Sequence, residues 1–311
     1  MKIVAALGGN AIIRYREKGT ATEQLGHIDA AVAPLARMVA AGHSVLITHG
    51  NGPQVGDILL QNECARDAVP RMPLDVCGAE SQGMIGYMVQ QCMQNRLEAL
   101  GVRAPVVAVL TRTCVDSADP AFAVPSKAIG PYYTRAEARS LGEAEGWTFR
   151  EEPARGWRRV VPSPEPAAVL EAGPVKVLFE TGAVVVAGGG GGVPVVRTAG
   201  GLRGVEAVVD KDRAAAHLAS IIGADLLLML TDVEGVYLDY GGANEKLVRS
   251  MDSREARDFL ARGEAGTGTM APKVEAAVRF VEKTGGIAVI AHLDAAEDAG
   301  AGLAGTKVTP A

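Results

Sequence analysis

Three lysines stand where their charge could act on a ligand. Lys211 sits in VVDKDRAAAHLA between Asp210 and Asp212, Lys273 follows Pro272 in GTGTMAPKVEAA, and Lys127 lies between two prolines in VPSKAIGP. Taken singly, each also suits a solvated surface charge. Lys211 fits that reading least, because it interrupts an apolar run. Around the lysines the chain repeats one device three times: LGGNA (Gly8, Gly9, Asn10), THGNGPQVG (Gly50, Asn51, Gly52) and AGGGGGVP (Gly188 to Gly192). A strand that ends in glycines and feeds a helix exposes backbone N–H groups with no Cβ to hold an anion away. Any one such loop also suits a plain turn; three of them, with three lysines, suit phosphoryl transfer. That chemistry asks a protein mainly for positive charge and N–H donors around the migrating group.

The two common nucleotide signatures are missing. No Gly-Lys pair exists to build GxxxxGK[ST], and the residue that would complete GxGxxG from Gly188 is Val193. The five histidines show no metal-ligand spacing, so no metal site made of side chains is expected. His49 borders a glycine loop and suits either a ligand contact or a structural role. Cys64, Cys77, Cys92 and Cys114 lack CxxC spacing and read as buried free thiols.

These residues need elements to hold them. Short β-branched runs (KIVAAL, SVLITHG, APVVAVLT) alternate with amphipathic stretches (IDAAVAPLARMVAAG, AESQGMIGYMVQQCMQNRLEALG), which implies βαβ units and a mostly parallel sheet covered on both faces. Gly42 and Gly101 fall where left-handed helix ends are wanted. The pattern breaks at about 115–166, a stretch rich in Pro, Arg and Glu that includes Trp147 and Trp157. It is too long for an ordinary loop and reads as a small protruding lid subdomain. Regularity returns with GAVVVAGGGGG, GVEAVVDKDRAAAHLASIIGA and DLLLMLTDVEGVYL. In an open sheet of this kind, all three glycine loops belong at the carboxyl ends of strands, and VVDKD reads as a strand end delivering its charges to a helix mouth.

With 311 residues, 48% of them apolar and 22% charged, the chain can bury a large core. A net charge of −5 with scattered Lys and Arg gives no footprint for nucleic acid. No apolar run approaches the length that spans a bilayer, and the start is too short in its apolar part for a secretory signal. No membrane partner is expected, and the expected location is cytoplasmic.

The motifs ALGGNA, THGNGPQVG, PLDVCGAESQGMIGY, PSKAIGP, GWRRVVPSPEP, AGGGGGVPV, EAVVDKDRAAAHLA, LTDVEGVY and GTMAPKVEAA, in this order, make the chain similar to the carbamate kinases of the amino acid kinase superfamily. The resemblance implies a three-layer αβα sandwich on an open eight-stranded sheet, a protruding subdomain and a homodimer. It implies one amino-acid-kinase-type domain over 1–311, with a carbamate- and phosphoryl-binding part at about 1–180 and a nucleotide-binding part at about 181–311. The implied reaction interconverts ADP plus carbamoyl phosphate with ATP plus carbamate, with Mg²⁺ travelling on the nucleotide phosphates.

By the same resemblance, Lys211 and Lys273 contact the transferring phosphoryl group, Asp212 orients them, and Lys127 reaches the substrate from the lid. Gly8, Gly9, Asn10, Gly50, Asn51 and Gly52 surround the phosphate and carbamate. Gly189, Gly190, Asp210, Asp232, Val236, Tyr237 and Met270 fall to the nucleotide. Many relatives carry a lysine on the first strand two residues before the glycine pair. This chain has Ala6 there, so Lys127 is the cation placed to compensate. Ser126, Ala128 and Ala271 depart from the usual Thr, Pro and Gly; Ala271 is awkward if its φ must be positive. A sibling kinase for another small acid and a catalytically silent binding homologue are the alternatives. The direction of the reaction, including a place in arginine degradation, stays open. The apolar set Met84, Ile85, Tyr87, Met88 and Val89 suits a dimer face or packing on the chain's own sheet.

Overall fold

The structure is a computed structural model that describes residues 1–9, 12–13, 17–153, 155–266 and 270–311. The first half runs β1 (Lys2–Leu7), α1 (Ala21–Ala40), β2 (Ser44–His49), α2 (Gly52–Ala65), α3 (Leu74–Ala99) and β3 (Val106–Ala108). The interrupted region follows, with β4 (Arg112–Cys114), β5 (Lys127–Tyr133), α4 (Arg135–Glu145), β6 (Thr148–Glu152), β7 (Gly156–Val161) and β8 (Ala168–Val169). Next come α5 (Ala172–Glu180), β9 (Val184–Val186), β10 (Val193–Thr198), β11 (Gly201–Gly204), α6 (Lys211–Ile222) and β12 (Leu226–Thr231). The chain ends with β13 (Val236–Leu238), β14 (Lys246–Val248), β15 (Ser250–Asp252), α7 (Ser253–Ala261), α8 (Met270–Thr284), β16 (Ile287–His292), α9 (Ala296–Gly300) and β17 (Thr306–Thr309).

Eight strands make the central sheet in the order β15-β17-β16-β12-β1-β2-β9-β3. Its ladders from β16 to β3 are parallel, and β17 closes antiparallel on β16. All of Ile3 to Leu7 in β1 are buried, the mark of a strand covered on both faces. Successive side chains feed opposite layers. Val4 and Ala6 join the core under α6 and α8, while Ile3, Ala5 and Leu7 join the core under α1 and α3.

Local chemistry sets the helix boundaries. Thr20 and Glu23 form a reciprocal capping box at the start of α1, and Gly42 (φ 87°) and Gly101 (φ 72°) take the left-handed conformation just past α1 and α3. Within the expected lid stretch, β5, β7 and β6 form a separate antiparallel sheet with α4 beside it.

APVVAVLT supplies one strand, β3, to the central sheet, and β4, which follows it, joins a second sheet, β11-β10-β4-β8. Between them, buried Thr111 accepts the Gly188 N–H, which pins the crossover. Two expectations change. VEAVVD has no ladder partner and is an extended segment, with Val208 donating only to Pro162 O. The quintet Gly188 to Gly192 feeds β10 rather than a helix, while Gly50 to Gly52 runs straight into α2.

Candidate active site

The sheet reverses its strand order at β1, which has β2 on one side and β12 on the other. Such a switch point opens a crevice at the carboxyl ends of the strands. Gly8 and Gly9 follow β1, and Gly50 to Gly52 follow β2 into α2. A Cβ on Gly50 would lie 2.8 Å from the Gly9 nitrogen and 3.2 Å from Cδ of Lys211. Two glycine loops and a lysine stem therefore touch at one point, and a side chain on Gly50 would part them. Asn51 precedes α2 without capping it and donates instead to Ser81 Oγ at 2.8 Å. Asn10 lies outside the described residues.

The cations converge from three elements. Asp210 caps α6 by accepting the Asp212 N–H, which fixes the turn that carries Lys211. Lys211 Nζ lies 2.8 Å from Asp212 Oδ1, and Lys273 Nζ, from the first turns of α8, lies 3.1 Å from Asp212 Oδ2. Lys127, at the start of β5, places Nζ 3.1 Å from Asp210 Oδ2. Asp210, Asp212 and Lys273 are buried. Burial weighs against the Lys211 ammonium, yet the adjacent Asp212 carboxylate outweighs it and holds that group above the ordinary lysine range. Lys273 goes the other way: burial, and then the charge of Lys211, lower it. Burial also opposes the Asp210 carboxylate, but Lys127 and Lys211 overcome it and bring it down to about 2.

The quintet permits close packing. A Cβ on Gly189 would run into the His49 ring, one on Gly190 into the Asn51 amide, and one on Gly191 into Val209 O. These glycines are packing surfaces that let the β2 loop and the segment before Asp210 come close. Thr48 Oγ1 donates to Gly188 O and Thr113 Oγ1 to Gly191 O, which tie the turn down. His49 is fully enclosed; its Nδ1 lies 2.9 Å from Gly50 O, and burial lowers its pKa to about 4. It is a neutral structural histidine.

A cleft of about 1000 Å³ opens beyond the carboxyl end of β12. Asp232, Tyr237 and Met270 line it, joined by Tyr240, Phe259 and Arg262, which carried no signal in the sequence. Val236 is not on its wall: it is buried, and its N–H donates to Thr306 Oγ1. Gly189, Gly190 and Asp210 are likewise absent from the lining. Met270 opens α8 and Lys273 follows one turn later, so one helix links cleft and cation cluster. Ala271 is helical, so the missing glycine costs no strain there; among the described residues only Asp239 is a non-glycine with positive φ.

A second feature invisible in the sequence joins the lid sheet to the body. Arg159 lies 3.9 Å and Arg71 4.8 Å from the Trp147 ring, while Arg71 pairs with Glu145 and Glu63, and Arg159 with Glu206. Of the apolar set on α3, Ile85, Met88 and Val89 pack into the chain's own core, and Tyr87 stays 59% exposed. Cys77, Cys92 and Cys114 are buried as expected, but Cys64 is exposed. Among the described residues no group of three or more His, Cys, Asp or Glu side chains could hold a metal ion, and no helix is long and apolar enough to cross a membrane.

Residues 1–292 match the amino acid kinase family. The chain is 45% identical over 311 residues to a carbamate kinase of Pyrococcus horikoshii, covering 99% of both chains. It is 48% identical over 308 residues to one of Halobacterium salinarum, covering 99% of this chain and 98% of that one. Among solved structures, carbamate kinase from Giardia lamblia bound to AMP-PNP superposes with a TM-score of 0.95 at 40% identity, over 100% of this chain and 98% of that one.

Proposed function

The chain belongs to the amino acid kinase family, and from that premise we infer that it is an ATP:carbamate phosphotransferase, passing a phosphoryl group between carbamoyl phosphate and ADP in either direction. The observation that carries this reading is the meeting of Lys211 and Lys273 on Asp212, with the Lys211 stem against the glycine pair Gly9 and Gly50. A phosphoryl group in flight is rich in negative charge and needs fixed cations and N–H donors more than covalent help. Asp212 holds both ammonium groups in place before substrate arrives, so no reorganisation is needed at the moment of transfer.

Within this proposal, Lys211 and Lys273 neutralise the migrating group, and Gly8, Gly9, Gly50, Asn51 and Gly52 surround the phosphate and the carbamate. Lys127 comes from the lid to replace the cation missing at Ala6. The nucleotide base and ribose occupy the cleft of Asp232, Tyr237 and Met270, with α8 leading from them to Lys273. The residues at about 115–166 act as a lid that excludes water from a labile acyl phosphate. Lysines and a backbone N–H engage the carboxylates of Asp210 and Asp212, so among the described residues these two acids offer no cage for Mg²⁺. A fit remains through the nucleotide phosphates, where the ion would add positive charge. A homodimer, a cytoplasmic location and service to arginine breakdown complete the reading on the strength of the family resemblance.

The test is ATP formation from ADP and carbamoyl phosphate, read by a coupled assay, for the unaltered chain and for Lys211→Ala. Expected are turnover in the first and a loss on the order of a thousandfold in the second. An inactive unaltered chain would overturn the substrate assignment, and an undiminished Lys211→Ala variant would overturn the mechanism.

A further inference from the structure

We propose that Asp210 is a positioning residue that couples the lid lysine to the phosphoryl-binding helix, one carboxylate oxygen serving each. The proposal rests on the phosphotransferase reading above and goes beyond it, because the family resemblance gives Asp210 to the nucleotide. The geometry places it elsewhere. Asp210 is absent from the wall of the nucleotide cleft. Its Oδ1 accepts the Asp212 N–H at 2.9 Å and so sets the first turn of α6, where Lys211 and Asp212 stand. Its Oδ2 accepts from Lys127 Nζ at 3.1 Å, across 83 residues and from the first residue of β5. The carboxylate is buried while Lys127 is about half exposed, so the fixed partner is the acid and the adjustable one is the lysine.

The two tasks are linked by rigidity. An N-cap locks the acid's own rotamer, and a locked carboxylate defines where a long lysine side chain can rest. Lys127 opens β5, and two residues on Ile129 is buried in one cluster with Val55 of α2 and Leu74 and Cys77 of α3, so the strand is seated on the body and its first residue adds the link to α6. Asp210 thus keeps Lys127 at the mouth of the cation cluster and limits the wandering of a flexible cation. When an anionic substrate enters, Lys127 needs only a short swing rather than a search.

Asparagine caps helices as well as aspartate does, so Asp210→Asn retains the turn of α6 and removes the ion pair. The experiment is a double-mutant cycle of Asp210→Asn with Lys127→Met, combined with hydrogen exchange across residues 127–161. Asp210→Asn is expected to lower kcat/KM for carbamoyl phosphate by about tenfold to a hundredfold. The KM for ADP should stay within about twofold. In the Lys127→Met background the same change should have little further effect, and exchange at the start of β5 should quicken in the single variant. Equal losses with and without Lys127, or a selective rise in the KM for ADP, would overturn the coupling and return Asp210 to the nucleotide. If the unaltered chain makes no ATP, the phosphotransferase reading falls, and exchange alone then decides the contact: an unchanged rate at β5 in Asp210→Asn overturns it.

Discussion

Asp212 Oδ2 lies 3.1 Å from Lys273 Nζ across 61 residues of chain, while its Oδ1 lies 2.8 Å from Lys211 Nζ on the neighbouring residue. One buried carboxylate therefore ties the start of α6 to the start of α8. Removing it takes from two enclosed cations the carboxylate they share. Asp212→Ala should destabilise the fold by about 3–5 kcal/mol, the usual cost of breaking a buried pair from one side. A lower urea midpoint with an unchanged slope is the expected signature. Turnover should be lost as well, since the lysines would repel each other away from the phosphoryl position.

The pH dependence of stability has two separable acid limbs. His49 is enclosed, and its folded pKa of about 4 lies below the ordinary 6.5. Between those values the unfolded chain binds a proton that the folded one refuses, so stability falls as pH drops from 6.5 to 4, by about 3 kcal/mol in total. Asp210, held at about 2, contributes stability that is present above the ordinary carboxylate range and lost only as pH falls further toward 2. Urea unfolding at a series of pH values should show the upper limb disappear in His49→Asn while the lower one remains.

Gly50→Ala should be a test of close approach rather than of backbone freedom. The new methyl would meet the Gly9 nitrogen at 2.8 Å and the Lys211 stem at 3.2 Å. We expect a loss of about 1–3 kcal/mol in stability from overpacking. The drop in kcat should be larger, on the order of a hundredfold, because the displaced atoms belong to the site. Equal kcat in the two proteins would separate the loops from the chemistry.

Tyr237→Ala should act on the nucleotide alone. Tyr237 and Tyr240 meet with tilted rings, 5.6 Å between centres, on the wall of the cleft. Losing this aromatic surface should raise the KM for ADP by about tenfold. The KM for carbamoyl phosphate should hold, since the cation cluster is untouched. A shift in both constants would place the two substrates on one surface.

Much of this arrangement is legible in local sequence because local physics makes it. The alternation of β-branched runs with amphipathic helices sets an α/β sheet, and the position of glycines after β1 and β2 sets where side chains must be absent. Thr20 with Glu23, Gly42 and Gly101 mark helix boundaries through contacts a few residues long. The ordered motifs carry the family, and the residue types Lys127, Lys211 and Lys273 announce a need for positive charge.

Tertiary structure decided everything that depends on atoms far apart in the chain. Whether VEAVVD becomes a strand depends on a neighbouring strand pairing with it, and among the described residues none does. Whether Gly189 and Gly190 cradle a phosphate or make room for His49 and Asn51 depends on how closely β2 and β9 lie, a distance that no periodicity encodes. Asp210 belongs with Lys127 because the sheet order brings the start of β5 to the start of α6, 83 residues away. Composition and spacing name the charges available. Only the packing of the layers selects which charges meet, because Coulomb attraction and steric contact act over a few ångströms in space and take no account of separation along the chain.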